Sequence, residues 1–201
     1  MLMFAACDGL FAGLFGAVDT IKPDSPNAIS DLHNNGITTI MLTGDNENAT
    51  NAIAKTAGID NVIAGVLPEG KAGEIEKLKA EGRKVCMVGD GINDAPALAS
   101  ADIGAAIGNG TDVAIESADV VLMGSELSAL VTALRLSKAV MRNIKQNLFW
   151  AFFYNCIGIP FAAGLFYAFG GPLLSPMFAG AAMALSSISV VSNALRLKKF
   201  K

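Results

Sequence analysis

The sequence predicts a Rossmann-like α/β domain built on a parallel sheet, followed by a two-helix transmembrane hairpin. Three observations carry this. Short β-branched runs alternate with helix-compatible segments over the first 125 residues. An acidic, glycine-rich turn, Gly89-Asp90-Gly91-Ile92-Asn93-Asp94, ends one of those runs. Two uncharged stretches, 147–169 and 173–195, follow. A hydrophobic share of 52% and a mean hydropathy of +0.47 are high for a chain lying wholly in water.

Taken in order, strands are expected near 3–6 and 11–18, then at 37–42, 62–64, 85–88, 103–106 and 120–122, with helices between most of them. Ser25 reads as an N-cap ahead of Pro26 at the first helical position. A helix should run from Glu47 to Ala57. Leu67-Pro68-Glu69-Gly70-Lys71 enters a charged helix, and Ala95-Pro96 opens another. From 126 to 146, Leu127, Leu130, Val131, Leu134 and Val140 recur at near-helical spacing and form a connector. The expected division is a cytoplasmic domain over 1–125, a connecting helix over 126–146, and two transmembrane helices with a basic cytoplasmic tail over 147–201.

The acidic turn is the chemical centre of the first part. Two carboxylates and an amide lie at the carboxyl end of a buried-type strand, the crevice where open α/β sheets bind ligands. Mg2+ takes a few hard oxygen ligands together with phosphate and water oxygens, so a phosphate-handling site is implied. A second strand feeds Thr43-Gly44-Asp45-Asn46, where a hydroxyl and flexible backbone can cradle phosphate oxygens at a helix amino end. Lys71, early in its helix, can reach back to offset phosphate charge.

Thr43-Gly44-Asp45, Lys71 and the 89–94 turn, in this order and spacing, resemble the later motifs of the haloacid dehalogenase superfamily in the wording of its P-type ATPase branch. The resemblance continues through 97–104 and 110–123 and is closest in kind to the phosphorylation domain of heavy-metal pumps. It implies an incomplete haloacid dehalogenase-type domain in which Thr43 and Gly44, with Asp45 in the same motif, bind a phosphoryl group and Lys71 neutralises it. It further implies that Asp90 ligates Mg2+, that Asn93 braces the site, and that Asp94 braces it as a second candidate Mg2+ ligand. ATP would be the phosphoryl donor.

The family's aspartyl nucleophile lies in a DKTGT run, which does not occur here. Asp8 and Asp19 match the segment after the family's nucleotide-binding domain and are not promoted to that role. The nucleotide-binding domain, the actuator domain and the Cys-Pro-Cys metal site are also absent from the sequence. The chain therefore resembles the carboxy-terminal part of a pump, inactive by itself and partnered by the remainder. Two other readings stay open: a membrane-anchored phosphatase, which would need an Asp-x-Asp nucleophile, and a structural or regulatory remnant without catalysis.

Each uncharged stretch is about as long as the roughly 20 residues that cross a hydrocarbon core. Gly170-Gly171-Pro172 joins them. Arg135, Lys138, Arg142 and Lys145 precede the pair, and Arg196, Lys198, Lys199 and Lys201 follow it. By the positive-inside rule both ends face the cytoplasm, so a multi-pass protein of the plasma (inner) membrane is expected, with lipid as partner and the sheet domain cytoplasmic. Tyr154, Asn155, Met183 and Ser187 are the polar or soft groups within the stretches, and on residue chemistry they read first as helix-packing groups. The resemblance extends to the last two helices of the monovalent-copper branch, and implies that these four residues line a Cu+ path, with a copper chaperone as a further partner. A thioether suits soft Cu+. The zinc branch would show a lysine in the first helix and an aspartate in the second, and neither is present.

A net charge of −3, with basic residues flanking apolar runs, excludes a nucleic-acid binder. Cys7, Cys86 and Cys156 are too scattered for a disulfide framework. Cys86 is expected in the core and His33 on the surface.

Overall fold

The computed structural model describes residues 2–16, 20–89, 92–108, 116–171 and 176–200. It divides into units 1–131 and 132–201. The first begins with an antiparallel hairpin, β1 (Leu2–Cys7) and β2 (Leu10–Gly16), with Leu2 opposite Gly16. Asp8 and Gly9 take positive φ angles of 51° and 79°, the left-handed pair that a tight hairpin requires. The expected tail of β2 at 17–18 lies outside the described residues.

α1 (Ser25–Asn34), β3 (Ile40–Leu42), α2 (Glu47–Ala57), β4 (Asn61–Ile63) and α3 (Pro68–Ala80) follow. Then come β5 (Cys86–Gly89), a 3-10 turn (Ile92–Asp94), α4 (Ala95–Ser100), β6 (Ile103–Ile107) and β7 (Val120–Leu122). All ladders after the hairpin are parallel: β3 with β4, and β5-β6-β7 in that order. The α/β domain with a parallel sheet is thus present. β3 is shorter than the expected 37–42 because Thr39 donates its N–H to Asp60 Oδ2 at 2.7 Å instead of to a strand.

The N-cap of α1 is Asp24, and Ser25 is already helical. Asp24 makes no side-chain cap to its own helix. Its carboxylate accepts the N–H of Ser128, at the start of α5 (Ser128–Ala162), at 3.1 Å. α2 keeps the expected bounds, with Asn46 Oδ1 accepting from the Asn48 N–H at 2.8 Å.

The core that positions the site is small. Ile75 of α3, Met87 of β5 and Ala97 and Leu98 of α4 are buried together, and Leu42, Val85 and Ala101 pack against them. Leu42 ends β3, so this cluster brings the carboxyl ends of β3 and β5 to one side of α3. Cys86 is exposed, against expectation, because the alternation along β5 turns Met87 inward and its neighbour out.

The second unit holds the rest of α5, a short α6 (Leu165–Ala168), α7 (Pro176–Leu195) and a 3-10 turn (Arg196–Lys199). The two-helix transmembrane hairpin is not supported. Among the described residues no helix is long and apolar enough to cross a membrane. The uncharged part of α5 runs only from Asn147 to Ala162, where Gly164, at φ 82°, takes the chain out of the helix. The expected turn at Pro172 lies outside the described residues.

Candidate active site

Three backbone segments meet around the end of β3. Thr43 donates its N–H to the Ile63 carbonyl at 3.0 Å, and its own carbonyl accepts from the Val66 N–H at 3.0 Å. Gly65 donates to the Asp45 carbonyl at 3.0 Å. The Thr43-Gly44-Asp45 turn is therefore stitched to the loop that leads into α3. Within it, the Thr43 hydroxyl donates to Asp45 Oδ2 at 3.0 Å and accepts from the Asp45 N–H at 3.2 Å. A Cβ on Gly44 would lie 3.2 Å from the Val66 carbonyl oxygen, so the close approach favours glycine.

One turn into α3, Lys71 points at the acidic turn. Its Nζ lies 2.7 Å from Asp94 Oδ1, and only 15% and 13% of the two side chains are exposed. Asp94 is fixed from the other side by Gly89, where a Cβ would fall 2.8 Å from Asp94 Cβ and Oδ2. The missing side chain at Gly89 is what lets the carboxylate sit against the end of β5. Asn93, beside it, is exposed. Asp90 lies outside the described residues.

These contacts bring Thr43, Gly44 and Asp45 into register with α3 through Val66, and join Lys71 to Asp94. A lysine held by one carboxylate still has donors for an anion. Fixed in advance, such a charge stabilises phosphoryl oxygens without reorganisation. The carboxylate donors on a glycine turn suit a hard cation in kind, although Asp94 gives Oδ1 to Lys71. Among the described residues no group of three or more His, Cys, Asp or Glu is assembled for a metal.

The other proposed metal residues sit in the second unit. Tyr154 and Asn155 are on α5, and Met183 and Ser187 one turn apart on α7. The Asn155 amide donates to the Ala151 carbonyl of its own helix at 2.9 Å, and Tyr154 lies against Trp150 with ring centroids 6.0 Å apart.

Haloacid dehalogenase-like hydrolase profiles match residues 4–102 and 74–134. Copper-transporting ATPase 1 of Rhizobium meliloti is 55% identical over 196 residues, covering 98% of this chain and 24% of that protein. The copper-exporting P-type ATPase of Vibrio cholerae is 59% identical over 190 residues, covering 94% of this chain and 21% of that protein. A solved zinc-transporting PIB-type ATPase in its E2.Pi state superposes with a TM-score of 0.83 at 36% identity, covering 98% of this chain and 31% of that one. The chain belongs to the heavy-metal P-type ATPases. This P-type ATPase chain spans about a quarter of the length of the curated relatives it matches.

Two clusters in the P-type ATPase chain escaped the sequence reading. His33 Nε2 lies 2.9 Å from Asp60 Oδ2 and 3.1 Å from the Thr39 hydroxyl, so it is part of a polar knot and not a free surface residue. In the second unit, Asn143 donates to the Asn193 carbonyl at 2.7 Å, Asn193 to Asn147 Oδ1 at 2.9 Å, and Asn147 to Asn143 Oδ1 at 3.1 Å. The three amides close a ring between α5 and α7. The i, i+4 spacing of Asn143 and Asn147 was the available signal.

Proposed function

We propose that the complete protein is an ATP-driven Cu+ pump and that residues 1–125 of this chain belong to its phosphorylation domain. The observation that carries this reading is identity of 55–59%, over 94–99% of the chain, to proteins named for copper transport. Identity to the zinc-transporting neighbour is 36%. The absence of lysine and aspartate from 147–169 and 173–195 supports the same choice.

In this reading ATP phosphorylates an aspartate outside this chain. The Thr43 hydroxyl and Gly44 backbone hold the phosphoryl oxygens, Asp45 orients Thr43, and Lys71 opposes the developing charge while Asp94 holds Lys71 in place. Asn93 braces the turn. Mg2+, with Asp90 and Asp94 as its carboxylates, would neutralise phosphoryl charge. The α/β unit works in the cytoplasm, where a copper chaperone hands over Cu+, and Tyr154, Asn155, Met183 and Ser187 line the ion path.

The test is metal-dependent ATPase activity of the reconstituted full-length pump. Met183→Leu preserves size and apolarity, so a packing role predicts a cost below about 1.5 kcal/mol and unchanged turnover. A ligand role predicts that Cu+-stimulated turnover falls in Met183→Leu and in Ser187→Ala while both variants stay folded. Wild-type Cu+ activity in both variants, or preferential stimulation by Zn2+, would overturn the copper reading.

A further inference from the structure

Asn193 of α7 is gripped at two points by α5. Its backbone carbonyl accepts from the Asn143 amide at 2.7 Å, and its side-chain amide donates to Asn147 Oδ1 at 2.9 Å. Asn143 and Asn147 are one helical turn apart, and the Asn147 amide donates to Asn143 Oδ1 at 3.1 Å, so each orients the other. Asn193 lies in the last turn of α7, where carbonyls lack a partner within the helix, and its carbonyl is thereby available to an outside donor. Asn143 is buried, and Asn147 and Asn193 are half-buried. A single bond between two helices leaves them able to swivel. Two bonds from one residue to successive turns of its neighbour fix both the height and the rotation of α7 against α5.

The hollow beside the ring shows which way the helices run. Arg196, Leu197 and Phe200, which follow Asn193, line it together with Ala139 and Arg142, which precede Asn143. The helices are therefore antiparallel at the ring, and beyond it α5 continues towards Tyr154 while α7 runs back towards Ser187. At 1.5 Å per residue, Tyr154 and Asn155 stand about 10–12 Å beyond Asn147, and positions 187 and 183 about 9–15 Å before Asn193. All four thus lie at one level measured from the ring, too far from its amides for these to touch an ion held there. Tyr154 shares the face of Asn143 and Asn147, whereas positions 183 and 187 are about a quarter to a third of a turn from the Asn193 face. Whether groups on the two helices can meet at that level is decided by height and rotation, the two quantities that the ring fixes. A metal site tolerates errors of only about 0.2 Å in its ligand distances.

We propose that Asn143, Asn147 and Asn193 are positioning residues of the Cu+ path, a joint that sets the height and rotation of positions 183 and 187 relative to Tyr154 and Asn155. This inference rests on the reading of those four residues as lining the path.

The measurement is the Cu+ concentration that half-saturates ATPase activity of the reconstituted full-length pump. Asn147→Leu keeps the volume, removes the acceptor for Asn193, and should raise that concentration about tenfold. Asn193→Ala keeps its carbonyl bond to Asn143 and loses only the side-chain bond, so it remains measurable where Asn147→Leu does not fold, and it should shift the value in the same direction. Asn147→Asp still accepts from Asn193 and should stay within about twofold of the parent. Thermal loss of helical circular dichroism in detergent is followed in parallel. A ring that only stabilised the helices would lower the thermal midpoint and leave the half-saturating concentration unchanged, and that result would overturn the proposal. So would a shift in Asn147→Asp equal to that in Asn147→Leu. Met183→Leu, measured alongside, separates this inference from the reading beneath it. If Met183→Leu impairs Cu+ stimulation while the ring variants do not, the joint falls and the Cu+ path stands. If Met183→Leu has no effect, the Cu+ path falls and the joint with it.

Discussion

Lys71 and Asp94, 23 residues apart in sequence, form a largely enclosed ion pair with Nζ 2.7 Å from Oδ1. It joins the start of α3 to the acidic turn after β5. Taking one member away leaves the other charge desolvated without compensation, which costs far more than a surface pair does. Asp94→Asn and Lys71→Met should each destabilise the chain by about 3 kcal/mol, and the double variant by clearly less than the sum. Urea unfolding of the four proteins measures the coupling. Additive effects would mean that the two charges do not hold each other.

Gly89 provides a sharper test, because the change is confined to backbone space. Gly89→Ala puts a methyl 2.8 Å from the Asp94 carboxylate, so Asp94 must move. In the full-length pump, phosphoenzyme formed from ATP should drop at least about tenfold, with a stability loss of about 1–3 kcal/mol. Gly73→Ala on α3, where a Cβ meets nothing within 4 Å, is the control. It should leave phosphorylation unchanged and stabilise by about 0.5–1 kcal/mol. A normal phosphoenzyme level in Gly89→Ala would remove Asp94 placement from the mechanism.

The knot at Thr39 and Asp60 should be visible as acid sensitivity. The Thr39 backbone N–H, then its hydroxyl, hold the Asp60 carboxyl below the usual carboxylate range, with His33 adding to the effect. The Val85 N–H, then Lys84, do the same for Asp102. For a lowered folded-state pKa the stabilisation is present above the unfolded value of about 3.9 and disappears as pH falls through the lower folded value. Asp60→Asn should thus weaken the chain near neutral pH and flatten the acid limb of its stability profile. Urea midpoints between about pH 7 and pH 2 check it, and an unchanged slope would count against the knot.

In the second unit, Asn143 is 8% exposed and spends its amide on the Asn193 carbonyl. Asn143→Ala leaves that carbonyl and the Asn147 amide without their partner, at a cost of about 1–3 kcal/mol. Thermal loss of helical circular dichroism in detergent should come earlier for this variant. If it does not, water has replaced the ring at little cost.

Local chemistry was readable in residue order. Gly-Asp turns after β-branched runs placed the strand ends, Pro68 and Pro96 marked helix starts, and the bounds 47–57 of α2 follow from an asparagine cap and a closing Gly58 at φ 78°. Such signals need only neighbouring residues, because steric and capping preferences act within a turn or two. Composition also showed the carboxylate-free basic segment. Pairings across the chain were not readable: Asp24 serves Ser128 over 104 positions, Lys71 finds Asp94, and Asn193 closes on Asn147. The transmembrane expectation failed for a related reason. A run of uncharged residues counts composition, whereas the length of a helix depends on where the backbone leaves helical geometry, and here α5 ends at Ala162 and Gly164, at φ 82°, turns the chain. Long-range partners are settled by which groups the folded backbone brings within hydrogen-bond distance, a property of the assembled units and not of any single stretch.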